Sequence, residues 1–566
     1  MRAAAWLLGF ATPVALGAAN GGYFPSEWGL AALGFLLGAA AALIVRERVA
    51  LGGLDLALWS ALALLLGWTL LSAVWAPSPT QPVLEAERTF VYLAAALCAS
   101  LVLARATASA CVAGVAAGAG AVAVYALAVA TPGEQLAQPI GYSNSLAIIC
   151  VLGLVTAARS GIAGAALMPA LATALYLTFS RGSVAALVAG VLVLAALDRR
   201  RFQLLALAPA PLVSVAAAMR AAGVPVLALV GATLLNVLLQ RLAPRFEPGA
   251  RARRAVGIAL AAAAVAVAAA ALVRIGNPVD AFTAPLPPGG GDLGGRFASV
   301  SGNFRADFWG VAWSAVEDEP LLGIGAGEYG RRWLLERPTS FHVRDAHNLY
   351  LETLAELGPL GLVLLLAVLA APLAALVRVR AAPAAAPAAG AYVAFLAHAA
   401  VDWDWEVPAV TATGLVCGAV LVALARNAAP LPLSLSRRLF GLGALAPLLA
   451  AAAVAHAGNR ALAAANDAIG RADAPEALAQ ARRARTWTPW SHRPWQRIGQ
   501  AQLLARRPDR AHAAFGEALE RDDEDWSVWY DVAAATEGAA RRSALARATA
   551  LNPRSPEIAD LRAEAG

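Results

Sequence analysis

Three positions carry side chains that could do chemistry where such side chains are costly: Arg181, Arg305 and His347. Arg181 lies in LTFSRGSVAALVAG, between two short uncharged runs. A charge beside hydrocarbon is expensive, so an arginine there points to an anionic ligand; the bland reading is a topology residue snorkelling to the interface. Arg305 stands near the start of NFRADFWGVAWSAVEDEP. The spacing predicts an amphipathic helix with Phe304, Phe308, Trp309, Ala312 and Trp313 on one apolar face, lying on a membrane surface. A guanidinium held there would meet phosphate through its planar fork of paired donors. The alternative is a surface ion pair with Asp307 or Asp318. His347 sits in DAHNLYLETLAELG, at the junction of a loop and an apolar run, and a neutral imidazole can take a proton near pH 7. A lone histidine is more often structural. Arg344 and Asp345 would tune it or merely cap the following helix. His398 and Asp402, read as one helical turn apart, are assigned a supporting role. No DxD-like cluster is expected to face this site, so chemistry without a metal or other cofactor is expected.

These side chains need elements that hold them, and composition says what kind. The chain has 566 residues, 60% of them hydrophobic and 14% charged, against about 25% charged in soluble domains; mean hydropathy is +0.63. Many uncharged stretches reach about 20 residues, enough to cross about 30 Å of hydrocarbon as helix. Backbone groups there must bond within their own segment, which makes the spans helical. Roughly 15 candidate spans are expected. The first, about residues 3 to 19, lacks a convincing cleavage site and reads as a transmembrane helix. The net charge of +7 does not point to nucleic acid, because the arginines sit in short clusters at the ends of apolar runs. The four cysteines form no CxxC pair and read as small core residues.

Flanking charge sets one orientation. Arg2, Arg46 with Arg48, Arg105, Arg159, the 199–201 cluster, the 241–254 cluster, Arg378 with Arg380, and Arg426 with Arg437 and Arg438 fall on alternate loops. Those loops are cytoplasmic by the positive-inside rule. The long loop of residues 274–346 then lies outside and opens with PLPPGGGDLGG, which reads as flexible. The tail from residue 458 also lies outside if the span count is odd. Its composition turns abruptly to charged and Ala-rich. Trp495 and Trp529 are 34 residues apart, the period of tetratricopeptide repeats, with Ile498, Gly499, Ala511, Phe515 and Ala518 at packing positions. His492 and His512 read as surface or packing residues. The division expected is 1–130 N-terminal spans, 131–425 core, 426–457 last span with its lead-in, and 458–566 helical repeats.

Four blocks resemble the O-antigen ligase and polymerase superfamily: PIGYSNSLAIIC with Tyr142 and Asn144, the Arg181 block, NFRADFWGVAWSAVEDEPLLGIGAGEYG, and DAHNLYLETLAELGPLGL with His347 and Asn348. AHAAVDWDWEVPA, with His398 and Asp402, also fits. The resemblance spans about residues 130 to 425 and leaves the tail outside. It implies an all-α polytopic bundle of the GT-C-like glycosyltransferase class in the plasma or inner membrane. It further implies a glycan donor on undecaprenyl diphosphate and transfer to a glycan, lipid or protein acceptor. His347, Arg181 and Arg305 would be catalytic; Arg344, Asn348, Tyr142, Asn144, His398 and Asp402 would bind substrate. The repeats would offer a concave face to a protein partner, or be a helical array with none. A ligase, a polymerase extending the lipid-linked glycan, a protein-glycosylating enzyme, a transporter and a scaffold all remain open. A transporter would need ionisable residues along a path through mid-membrane; here they gather on one face.

Overall fold

The computed structural model describes residues 1–243 except Arg199 and Ala222, residues 249, 251–252, 254–259, 262, 266 and 273, residues 277–284, and residues 301–563. PLPPGGGDLGG and most of the apolar run 255–273 lie outside the described residues. What is described is almost wholly helical. The exception is a two-residue antiparallel ribbon pairing Arg48–Val49 with Leu431–Pro432.

Among the described residues, seven helices are long and apolar enough to cross a membrane: Pro25–Val45, Gly53–Val74, Arg105–Ala128, Phe202–Ala221, Leu349–Val379, Pro408–Ala425 and Leu435–Gly470. Six shorter apolar helices accompany them, among them Ser143–Ala157, Arg181–Leu197 and Ala385–Ala399. The protein is an all-α multi-pass membrane protein. A 15-residue helix such as Ser143–Ala157 reaches only about 22 Å, and that one is buried along nearly its whole length. Its neighbours are protein, so its apolar surface does not require lipid. Thr80–Val102 departs in the other sense: it carries Glu85, Glu87 and Arg88 in its first half and is buried within the bundle.

Arg46, Arg426 and Arg438, from two of the arginine clusters, meet at one end of the bundle. Arg46 donates to the carbonyl of Leu101, Arg438 to those of Leu43, Ile44 and Arg46, and Arg426 forms an ion pair with buried Asp55 at 2.7 Å. At the other end lie the 301–348 segment and the tail. The 36-residue Leu435–Gly470 helix joins the two ends, running unbroken through position 457 into the tail. Five further helix segments from Ala474 to Leu551, and Pro556–Ala563, complete the tail. Ala511, Phe515 and Ala518 are fully buried there, and a Cβ on Gly499 would lie 2.3 Å from the Phe515 ring. Those helices therefore pack at backbone contact.

The tail docks on the membrane domain through buried polar pairs. Arg331 holds Asp522 with two parallel bonds of 3.0 and 2.9 Å, and Arg337 donates to Asn552 at 2.6 Å. His492, expected as a surface or packing residue, is buried between Asp522 at 3.3 Å and Asp525 at 3.0 Å, with Thr80 Oγ1 3.2 Å away. His512 is exposed. Removing one partner of a buried pair strands the other's charge, at a cost of about 3 kcal/mol. Arg331→Ala should therefore loosen the tail without unfolding the bundle. Faster hydrogen exchange confined to Arg493–Leu504 and Trp526–Ala535 would register it, and unchanged exchange there would count against the docking pair.

Candidate active site

Asp402 is the centre of the site. Its helix, Ala385–Ala399, ends before it, so Asp402 stands in the loop leading to Pro408–Ala425 rather than a helical turn beyond His398. Four of the nine residues expected from the sequence converge on its buried carboxylate. His347 Nδ1 lies 3.1 Å from Oδ1, and the Tyr142 hydroxyl donates to the same oxygen at 3.1 Å. Arg305 Nη2 reaches Oδ2 at 3.3 Å, and Asn144 Nδ2 donates to that oxygen as well as to the Tyr142 hydroxyl at 2.8 Å. The Trp403 amide adds a bond at 2.9 Å. Burial works against ionising Asp402, but the His347 hydrogen bond and charge, with His398 and Arg305, outweigh it. They hold the carboxyl well below the usual carboxylate range.

Each partner is fixed from its own element. His347 takes a left-handed backbone conformation, φ 54°, just before Asn348 caps the Leu349–Val379 helix. The Asn348 side chain accepts from the amides of Tyr350 and Leu351, both at 3.1 Å. That makes Asn348 the device that starts the helix, not a side chain facing Asp402. The His347 ring stacks on Phe308, with centroids 5.1 Å apart. Arg305 opens a 14-residue helix, but the apolar face differs from the expected one. Phe308, Val311, Ala312 and Ala315 are buried against protein, while Phe304 and Trp313 are exposed. Spacing of i, i+3, i+4, i+7 selects that stripe, and the cluster around Tyr329 and Trp333 covers it. Arg305 pairs with neither Asp307 nor Asp318. It donates to the carbonyls of Val401 at 2.6 Å and Gly302 at 3.2 Å as well as to Asp402.

His398 belongs to a second chain of contacts. Its Nδ1 pairs with Asp404, not Asp402, and its Nε2 lies 2.8 Å from Ser183 Oγ. Ser180 caps the Arg181–Leu197 helix and donates to Ser183 at 2.9 Å. This seryl–imidazole–carboxylate line went unread in the sequence. Its only trace is the paired serines of SRGS. It exists because two helices cross at Gly190 and Gly390, where a Cβ on either would stand within 2.8 Å of the other's carbonyl oxygen. Arg181 occupies the first position of its helix and donates to the Ser301 carbonyl at 2.8 Å. That bond ties it to the segment carrying Arg305. Arg344 turns the other way, towards the Tyr23 hydroxyl at 3.4 Å.

Three carboxylates also come within reach of one another: Asp345, Glu352 and Glu406, on a loop, a helix and a second loop. Spacing does not bring these three together, because 61 positions separate the outer two. Arg88 meets this charge, pairing with Glu406 and with Glu85. Burial pushes Asp345 up despite Arg88 and Arg344.

An all-α multi-pass membrane protein with a buried histidine–aspartate–arginine centre at one end is the class that fold and site define. Within it, residues 164–366 match the family model of the O-antigen ligase. That match supports the superfamily resemblance seen in the motifs, and with it a membrane enzyme of the O-antigen ligase or polymerase type. It includes Arg181, Arg305, Arg344, His347 and Asn348; Tyr142, Asn144, His398 and Asp402 lie outside it and reach the site through the fold. No curated protein matches the chain.

Proposed function

We propose that the Asp402 centre transfers a glycan from an undecaprenyl-diphosphate carrier to an acceptor hydroxyl on the extracytoplasmic face, without a metal ion. The observation that carries this reading is one ionised carboxylate holding both His347 and Arg305. Because Asp402 accepts at Nδ1, the proton of a neutral His347 belongs on Nδ1 and the lone pair on Nε2. Among the described residues no hydrogen bond engages Nε2. The imidazole is then oriented as a base towards a substrate, with Asp402 stabilising the imidazolium that forms.

The acceptor hydroxyl gives its proton to His347 Nε2 as its oxygen bonds to the anomeric carbon. The bond from that carbon to the diphosphate oxygen breaks, and the electron pair leaves with the lipid diphosphate. Arg305 uses three of its five N–H donors on protein, so two remain for phosphate. Arg181, tied to the same segment, supplies the second guanidinium. Donors already in place where negative charge develops stabilise the leaving group more than the bound donor.

His347→Ala and Arg181→Ala should each abolish transfer from a lipid-diphosphate glycan while the protein still inserts in the membrane. Normal transfer by either variant would sink the assignment. Arg305→Lys should retain the charge but lose the fork, and transfer should fall by about 10²-fold; wild-type rates would remove Arg305 from the mechanism. Ligation is favoured over polymerisation by the tail, which walls the same end of the molecule and leaves room for an acceptor not carried on the lipid. Product analysis separates them: ligation moves glycan to a new acceptor, and polymerisation lengthens it on the carrier.

A further inference from the structure

A cavity of about 540 Å³ opens beside the Asp402 centre, and three parts of the chain build it. Tyr23 and Arg88 come from the N-terminal helices, Arg344 and Asp345 from the loop before His347, and Arg493 and Trp526 from the tail. Its size falls in the range of small-molecule sites. Aromatic rings link it to the centre: Tyr23 packs edge-on against Trp403 at 5.4 Å, and Trp403 packs against both Tyr142 and His347.

The lining chemistry is specific. Eight carboxyl groups and four arginines line the cavity, twice as many acidic as basic groups. Interleaved carboxylates and guanidinium forks are suited to adjacent hydroxyl groups, accepting from one and donating to the next. Tyr23 and Trp526 offer rings for the C–H faces of a sugar. Arg493 makes no side-chain hydrogen bond or ion pair among the described residues. Burial and nearby Arg344 draw its guanidinium down to about 10, as for a donor awaiting a partner. Burial also pushes Glu328, in the cavity wall, up to about 7 against the pull of Arg331.

We infer that this cavity binds the carbohydrate acceptor, its reacting hydroxyl passing Trp403 towards His347, and that the C-terminal helices form one wall of the acceptor site. The inference rests on the transfer reading for the acceptor's role, but not for the binding itself. The donor diphosphate and the acceptor then enter from opposite sides of Asp402.

The test uses the full chain in lipid nanodiscs, probed with a panel of short neutral and uronic-acid-containing oligosaccharides, and separately with inorganic diphosphate. At least one oligosaccharide should bind wild type and Gly310→Ala alike, since a Cβ at Gly310 would meet nothing within 4 Å and the residue lies outside the cavity wall. Its affinity should fall about tenfold, ~1.4 kcal/mol, in Arg493→Ala and in Trp526→Ala. Diphosphate binding should be the same in Arg493→Ala as in wild type. Trp526 also packs within the tail, so Arg493→Ala, which breaks no side-chain hydrogen bond or ion pair among the described residues, keeps the result readable if the other variant misfolds. Failure of every oligosaccharide to bind, binding indifferent to Arg493→Ala, or a diphosphate that depends on Arg493 would each overturn the inference. Glycan binding by a chain in which His347→Ala leaves transfer untouched would instead overturn the transfer mechanism and leave the site standing.

Discussion

Asp402→Asn should lower transfer by about 10³-fold while leaving the protein folded in the membrane. The asparagine keeps the shape but removes the charge on which His347 and Arg305 both rest. An amide can also donate to His347 Nδ1, which moves the imidazole proton to Nε2 and turns the base into a donor facing the substrate. General-base catalysis is worth about 10² to 10⁴, and loss of leaving-group stabilisation through a displaced Arg305 adds to it. Binding of donor should change less than turnover. The same variant makes a stability prediction with a definite sign. Asp402 is held below its unfolded value, so its ionised form contributes stability above about pH 3.9. That contribution is lost as pH falls below the unfolded value. The gap in melting temperature between wild type and Asp402→Asn should therefore be widest near neutrality and narrow on acidification. A gap independent of pH, or an active asparagine variant, would mean that Asp402 only fills space.

Gly358→Ala should be the most destabilising small substitution near the site, by more than about 3 kcal/mol. Gly358 has φ 65° and ψ −173°, a region essentially closed to other residues and costing about 1 to 3 kcal/mol to occupy. A Cβ there would also stand 2.2 Å from the Leu321 carbonyl oxygen. The close approach has a cause. Pro359 has no N–H for the Ala355 carbonyl, so the helix beginning at Leu349 must break. The glycine-rich turn LLGIGAGEYG satisfies the freed groups: Ile324 N donates to Ala355 O at 3.0 Å and Gly325 N to Glu356 O at 2.9 Å. Gly327 N and Tyr329 N take the two oxygens of the Glu356 side chain, and Trp68 Nε1 donates to Leu357 O. The break is thus clamped to the loop that carries the site, and His347 lies only three helical turns away. Gly358→Ala should lower both melting temperature and transfer. Gly310→Ala, where a Cβ would meet nothing within 4 Å, should leave both near wild type. A Gly358→Ala variant as stable as Gly310→Ala would show that the clamp is not needed.

The two predictions mark how much of the site could be read in advance. The motif blocks identified His347, Arg305, Tyr142 and Asn144, because a histidine, an arginine and polar residues at the margins of apolar runs are costly enough to signal a purpose. Asp402 was given a supporting role, since an acidic residue in a loop between apolar runs looks the same whether it faces water or four partners. Asn348 looked like a ligand-binding side chain, yet the helix that follows needs a cap and takes it. His398 stood one turn from Asp402 on paper, but the helix ends at Ala399 and the loop delivers Asp404 instead.

What the sequence by itself determined is the class of the molecule. Apolar length dictates helices, because no other backbone satisfies itself in hydrocarbon. Arginine clustering gives an expectation of which loops share an end, and the abrupt change of composition marked the tail. What only the tertiary structure decided is which polar groups meet. Asp402 collects residues from four separate segments, 142–144, 305, 347 and the Trp403 amide, none of which is near it in a helical period except the last. The acidic trio around Arg88, the serine line to His398 and the cavity between tail and core are likewise products of helix crossings and docking. Periodicity describes one helix face at a time; a site is where faces from distant helices close on one another.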